Sequence, residues 1–501
     1  MVGRRRRDER DEKEELPILL DPASSDEYRP LPLSDVVREA RRRAWDQAAD
    51  NARRVGMSRR DFLRTSMGAA TVLLALNACS KEKAATTGAR PGGTFAVPKE
   101  AGTDAAAANS VLDGDLPVID AQSHFLDFDL TKPLDPGFFG SDFPQALCGA
   151  DDPRACFGID RYVDTLFFRS ETAAAVLSAI PAPDARTGEL SVEVMARARE
   201  RVNQSIGPGR LLVHGLVVPT GKPLVAALDD LEAIAQTYKV DGWKAYTTNT
   251  EGWRLDDADL TGRQVGMASL QKIVDLGIPR ISIHKGISGG DKWASPEDVG
   301  PAAKAFPEIK FAVYHSGWEP GVTEGEFSID TADQGSNRLV ASLRKAGVGP
   351  GQNVYAEIGT TWFNLMRSPD EAAHLLGKLL LAVGEDRILW GTDSIWYGSP
   401  QGQIDAFRTF DISPEFQEKF GYPALTDTIR AKIFARNAAG YYGLDLAKIT
   451  KRPRPPGPAP TTPVATTAAP RPATTEHTTT THHDTTTTTD HDTTTSSTEP
   501  D

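Results

Sequence analysis

"LPVIDAQSHFLDFD", residues 116–129, is where the regular part of the chain begins. A short apolar run, 116–119, ends in Asp120 and then sets Gln122 and His124 two positions apart. On a strand, positions i and i+2 face the same side. An amide and an imidazole are therefore aimed at one point. Outward from this first strand, β-branched runs recur at 175–180, 211–218, 241–246, 280–284, 310–315, 353–358 and 388–392. Between them lie amphipathic segments at 191–204, 223–237, 268–275, 296–306, 335–346 and 369–384. Continuous apolar strands alternating with helices imply a parallel sheet buried on both faces. Eight such units predict an α/β fold closed as a (β/α)8 TIM barrel over residues 111–450, with disordered N- and C-terminal extensions. An open doubly wound sheet is the alternative, weakened because no Gly-rich phosphate loop follows the first strand.

A barrel of this type carries its chemistry at the C-terminal ends of its strands. Five of the nine histidines fall in the domain: His124, His214, His284, His315 and His374. His124, His284 and His315 close the first, fifth and sixth predicted strands, and Asp393 follows the eighth in "ILWGTDSIWYG". Three imidazoles and a carboxylate on separate segments but one face form a candidate metal or acid–base site. His214, mid-strand, and His374, on a helix, read as structural.

With these segments in place, the chain resembles the amidohydrolase superfamily, in the branch that includes aminocarboxymuconate-semialdehyde decarboxylase. The resemblance covers residues 116 to about 444. It is carried by "VIDAQSHF", "ISIHKG", "VYHSGW", "LWGTDS" and the closing "KIFARNAAGYYGL". It implies one divalent ion, commonly zinc, held by a strand-one His-x-His pair, a strand-five His and a strand-eight Asp. Here those positions are Gln122, His124, His284 and Asp393. It also implies His315 and Asp393 as the catalytic pair.

Gln122 departs from the pattern, because an amide oxygen is a neutral, weaker and harder donor than imidazole. Three outcomes stay open. The ion binds through the Gln122 oxygen, with manganese as an alternative to zinc; it binds without Gln122; or the barrel holds no metal. Weaker substrate-binding candidates are Lys244, Glu357, Arg169, Trp318 and Trp396. Lys244 could meet a substrate carboxylate or, carbamylated, bridge two metals; a salt-bridged barrel lysine is its plainer reading. Trp253, Trp293 and Trp362 also fall in or near βα loops, and aromatics at a barrel mouth suit a flat, apolar substrate.

The rest of the chain adds context. The net charge of −13 excludes nucleic acid as the main partner. "SRRDFLRTSMGAATVLLALNACS", residues 58–80, joins a twin-arginine element to a short apolar run and a lipobox-like ending at Cys79. That run is shorter than the roughly 20 residues of a membrane span, so residues 58–79 read as an export signal, with Cys79 the candidate lipidation site. Residues 1–57 read as a mostly disordered extension with an amphipathic helix near 33–54, unless Met57 is the true start. Residues 80–110 read as a linker, and 451–501 as a Pro/Thr-rich disordered tail whose four histidines are spacer. Cys148 and Cys156 flank "GADDPRA" and could close a disulfide in an oxidising compartment.

Together these readings predict an exported protein, at the cell surface or the outer face of the cytoplasmic membrane. Its partners are a small-molecule substrate, the twin-arginine machinery and, through a lipid anchor alone, the membrane; a homodimer is the candidate assembly. The expected function is metal-dependent hydrolysis of a C–N or C–O bond, or decarboxylation of an aromatic-like acid. A metal-free cell-surface binding barrel is the alternative.

Overall fold

The computed structural model describes residues 15–25, 27–115, 117–134, 143–258 and 262–452. Eight parallel strands run in sequential order around the molecule: β1 Val118–Ser123, β2 Thr172–Leu177, β3 Leu211–Val217, β4 Gly242–Tyr246, β5 Arg280–His284, β6 Lys310–Tyr314, β7 Val354–Glu357 and β8 Ile388–Leu389. The register is regular through the middle, with Lys244 opposite Ser282 and His284 opposite Tyr314. The ring returns to its start at Ser123, which bridges Ser394 in parallel. Three backbone bonds complete that return: Ala121 to the Trp390 carbonyl, Asp393 to the Gln122 carbonyl, and His124 to the Ser394 carbonyl. The predicted (β/α)8 barrel is the observed fold, and the open-sheet alternative is excluded by this closure.

Alternation along each strand separates two cores. Val118, Ala175, Leu177, Leu211 and Val213 face the surrounding helices. Ile119, Ala121, Ala174, Val176, Leu212, Ala312 and Tyr314 fill the barrel interior. The lower end of that interior is closed by Tyr441, Tyr442 and Ile449 of the C-terminal segment. His214 is structural there, bonded to the Tyr442 hydroxyl at 3.0 Å and to Ser178 Oγ at 3.3 Å. With the bottom filled, access to the strand ends is from the top.

The N-terminal region differs from its sequence reading. Helix α1, Asp35–Arg54, is the expected amphipathic helix, but it packs on the domain through Val37, Ala40, Ala44, Ala48 and Ala52. Small side chains one turn apart let it lie close against α2, Ser66–Thr86. Helix α2 contains the apolar run of the signal-like stretch, and nearly every residue from Ser66 to Leu76 is buried. A helix apolar on all sides must be buried on all sides, and periodicity alone does not say whether a translocon or a protein core does the burying. No helix among the described residues is long and apolar enough to cross a membrane.

The linker reading of 80–110 is also corrected: Gly93–Phe95 pairs antiparallel with Phe410–Ile412, and Ala105–Leu112 is a helix capped by Asp104. Ahead of α1, the described residues 15–25 and 27–33 form a strap without regular secondary structure whose Leu16, Ile18 and Leu20 are buried. The strap lies so close to Gly402 that a Cβ there would meet the Pro17 carbonyl oxygen at 2.2 Å. Cys148 and Cys156 are joined as a disulfide. The Pro/Thr-rich tail from residue 453 lies outside the described residues.

Candidate active site

The end of β1 and the loop after β8 are stapled together by one buried carboxylate. Asp120 accepts from the backbone N–H of Gln122 at 3.1 Å and of Thr392 at 3.0 Å, and from the Thr392 hydroxyl. Burial pushes its pKa up to about 7. This staple sets Gln122 and His124 beside Asp393. Gln122 Nε2 donates to Asp393 Oδ1 at 2.9 Å, and His124 Nε2 stands 3.1 Å from the same oxygen. His124 Nδ1 bonds the Ser178 carbonyl at 2.7 Å, and since a carbonyl only accepts, that nitrogen carries hydrogen. Its Nε2 lone pair then points at a carboxylate oxygen, an arrangement that needs a second ring proton or a cation between them.

His315 comes from the loop after β6 and His284 from the end of β5, their ring centroids 4.9 Å apart. His315 Nε2 is 3.4 Å from Gln122 Nε2, so the cluster is continuous from His124 to His284. His315, Ser316 and Asp393 all sit at positive φ (63°, 53° and 54°), a strained conformation for non-glycine residues that concentrates at functional sites. Glu357, at the end of β7, holds that strain. Its carboxylate accepts from the backbone N–H groups of His315 and Gly359, and its backbone carbonyl accepts from the Ser316 hydroxyl. Gly391 must lack a side chain, since a Cβ there would stand 1.9 Å from Glu357 Oε1.

Fully buried polar atoms without hydrogen-bond partners gather here: Gln122 Oε1, His315 Nδ1 and Lys244 Nζ. A buried orphan donor or acceptor costs about 1–3 kcal/mol, so three together mark a place prepared for a ligand. Burial drives the imidazoles toward neutrality, His315 down to about 3 and His284 well below its ordinary value. Burial opposes ionisation of Asp393, but the hydrogen bond and charge of His124 hold its carboxyl below the usual range. Neutral imidazoles at His284 and His315 and an ionised carboxylate at Asp393 are the protonation states that a divalent cation requires. The residues present fit such an ion.

A model of the family described as Amidohydrolase matches residues 119–444. The chain belongs to the amidohydrolase family. The class expected from sequence, a metal-dependent hydrolase or carboxy-lyase, follows from that membership. Similar solved structures include the 5-carboxyvanillate decarboxylase of Sphingomonas paucimobilis, 13% identical over 66% of this chain and 100% of that one, with a TM-score of 0.37. A 2,6-dihydroxybenzoate decarboxylase complexed with 2,6-dihydroxybenzoate is 15% identical over 66% and 100%, with a TM-score of 0.38. The 5-carboxyvanillate decarboxylase of Novosphingobium aromaticivorans complexed with manganese is 15% identical over 66% and 96%, with a TM-score of 0.41. Comparison with curated proteins found no match.

Above this amidohydrolase's cluster opens a cleft of about 400 Å³. Its floor includes His124 and Asp393, its walls Leu126, Phe128, Ile180, Pro181, Tyr246 and Trp396, and its polar rim Ser25, Glu27 and Glu189. Trp396 is thus at the cleft. The other weaker candidates are placed elsewhere. Arg169 pairs with Asp164 at 2.7 Å and is half-exposed, because it precedes the N-terminal end of β2, whereas the mouth is formed by the strands' C-terminal ends. Trp318 is buried under the strap with Tyr28 edge-on at 6.2 Å. Lys244 lies inside the barrel over the Tyr314 and Tyr246 rings, at 3.8 and 4.5 Å. It has cation–π contacts where a salt bridge was the plainer reading, and burial lowers its pKa to about 7. Glu357 is behind His315, where burial pushes its pKa up to about 8.

One residue at the centre escaped the sequence reading. Glu27, on the N-terminal strap, sits 3.3 Å from His284 Nδ1 and 3.7 Å from His315 Nε2. It lies ahead of the first barrel strand in a stretch without periodicity, and no signal in that stretch marks it.

Proposed function

We propose that this amidohydrolase acts on a flat, aromatic-like substrate, either hydrolysing a C–N or C–O bond at a carbonyl carbon or removing a carboxylate. The observation that carries this reading is the unbroken cluster His284–His315–Gln122–Asp393–His124, whose Asp393 and His124 end lines an aromatic-walled cleft. His124, His284 and Asp393 would hold the divalent ion, zinc or manganese, with the Gln122 amide oxygen as a harder fourth donor. Bound there, the ion supplies Lewis-acid polarisation of a substrate oxygen and acidification of water.

The chain's own residues do the rest. Trp396, Phe128 and Tyr246 flank the substrate plane and exclude water, which strengthens every polar contact at the floor. His315 enters neutral, so Nε2 can accept a proton in the hydrolytic route and return it to the leaving group. In the decarboxylating route the same nitrogen first takes a proton from the acidic group of the substrate or from water and then passes it to the carbon that keeps the bonding pair as CO₂ leaves. Ser178 fixes the His124 tautomer, and Thr360 donates to Asp393 Oδ2, which holds the carboxylate in plane.

The test is metal content together with turnover. About one equivalent of zinc or manganese per chain, lost in His284→Ala, with release of CO₂ from aromatic carboxylic acids or cleavage of aromatic amides and esters, is the expected result. A chain that takes up no divalent metal under any loading condition overturns it.

We also propose that residues 58–79 address the folded protein for twin-arginine export. The residue order supports this; the packing sets its condition. Cys79 is only 4% exposed on α2, so a lipid at that sulfur requires α2 to leave the domain.

A further inference from the structure

The strap of residues 15–33 is built into the domain with more hydrogen bonds than a trailing end would make. Arg367 donates to the Asp21 carbonyl at 3.1 Å, and Arg41 pairs with the Asp21 carboxylate at 2.8 Å. Asn364 donates to the Tyr28 hydroxyl at 3.0 Å. That hydroxyl is 3.2 Å from the Tyr397 hydroxyl, which is 2.8 Å from Thr360 Oγ1, and Thr360 donates to Asp393 Oδ2 at 2.5 Å. The residue next to Glu27 is therefore wired to the carboxylate on the far side of the cluster. These anchors fix where the Glu27 side chain points.

It points between two imidazoles. The ligand atoms of Glu27, His284 and His315 lie within 4.8 Å of one another. Donors bonded to one ion at about 2.0–2.2 Å stand roughly 3–3.5 Å apart; the 3.3 Å from Glu27 to His284 Nδ1 falls in that range, and His315 Nε2, at 3.7 Å, lies just beyond it. Charge gives the same answer. An imidazole brings no charge, so an ion beside His284 and His315 keeps its full +2 until a carboxylate such as that of Glu27 offsets part of it, which matters where burial makes uncompensated charge expensive.

We propose that Glu27 is a metal ligand delivered across the barrel mouth by the N-terminal strap. It stands in for the donor strength lost where Gln122 replaces an imidazole, and it makes the strap part of the active site. The proposal rests on the metal-dependent reading of the cluster above.

The test uses the full chain, stripped by a chelator and titrated with Zn²⁺ against a competing dye, then loaded with Co²⁺ for its visible absorption. Wild type, Glu27→Gln, Glu27→Asp and His284→Ala are compared. Loss of even an outer partner of a metal ligand costs about 10- to 100-fold in affinity. Glu27→Gln is expected to weaken Zn²⁺ binding by at least that range and to change the Co²⁺ bands, with Glu27→Asp restoring part of both. The proposal is overturned, with the metal reading intact, if His284→Ala loses the ion while Glu27→Gln keeps wild-type affinity and spectrum. Faster turnover in Glu27→Gln at unchanged affinity also overturns it, because the strap would then be a plug occupying the substrate's place. If the wild-type chain binds neither ion, both readings fall together.

Discussion

Gln122 shows how far one residue type can be read. Its position two before His124 predicted a shared target, and the structure gives that target an identity: the amide nitrogen is spent on Asp393 while Oε1 is left without a partner. So oriented, the amide turns its nitrogen to Asp393 and His315 and its oxygen toward Gly359, and it offers an ion the oxygen, the harder donor, only after the amide turns over. Gln122→His exchanges this for an imidazole and should shift the ratio of zinc to manganese affinity toward zinc by about tenfold or more, following the preference of nitrogen donors for zinc. Competition titrations with both ions check it, and an unchanged ratio would show that position 122 does not touch the ion. The histidines and Asp393 were legible for a plain reason. Each ends a strand, and in a closed barrel all strand ends meet on one face. Glu27 was not legible because nothing local fixes its place; Arg367, Asn364 and Tyr397, far along the chain, do so.

At the scale of elements, the strands were found to within about three residues because continuous apolar runs, buried at every position, mark a sheet covered on both faces, whereas the helices of the N-terminal region were misjudged in role. Helix α2 has no polar face, so its sequence is equally that of a signal and of a core helix, and only the partners α1 and Ala105–Leu112 decide. Helix Pro369–Ala382 makes a sharper case. It carries His374, whose ring meets Phe416 at 4.7 Å and Phe420 at 4.8 Å and whose Nδ1 is 2.9 Å from the Tyr422 hydroxyl. Burial, followed by the nearby charge of Lys378, lowers its pKa to about 4. A depressed pKa means that the folded state binds this proton less readily than the unfolded chain, whose histidine titrates near 6.5. The associated stability is present above pH 6.5 and is lost as pH falls toward 4. His374→Phe keeps the ring stacking and removes the proton, so the Tm loss between pH 6.5 and 4 should be smaller than in the wild type. Parallel acid limbs in thermal melts of the two proteins would place the titration elsewhere.

For the whole molecule, the active-site strap and the export stretch compete for one stretch of chain. Cleavage at Cys79 would remove Glu27, Tyr28 and α1, and would expose the faces of helices Ala105–Leu112 and Gln401–Thr409 that α2 now covers. By area, uncovering even a few Val and Leu side chains costs about 1.5–3 kcal/mol each, a large part of the 5–15 kcal/mol that holds a typical domain together. A mature form beginning at Cys79 would have to replace that cover with membrane or with another protein. The packing therefore predicts that the folded, metal-binding enzyme keeps residues 15–79, whichever compartment it reaches, and that translation from Met57 alone yields a chain unable to hold metal with full affinity. Intact mass and N-terminal peptide mapping of protein recovered from its native cells decide the matter. Peptides spanning Glu27 in the active fraction agree with the strap as part of the site. An active, metal-loaded fraction that starts at an acylated Cys79 would show that the barrel needs neither strap nor α2, and would remove Glu27 from the mechanism.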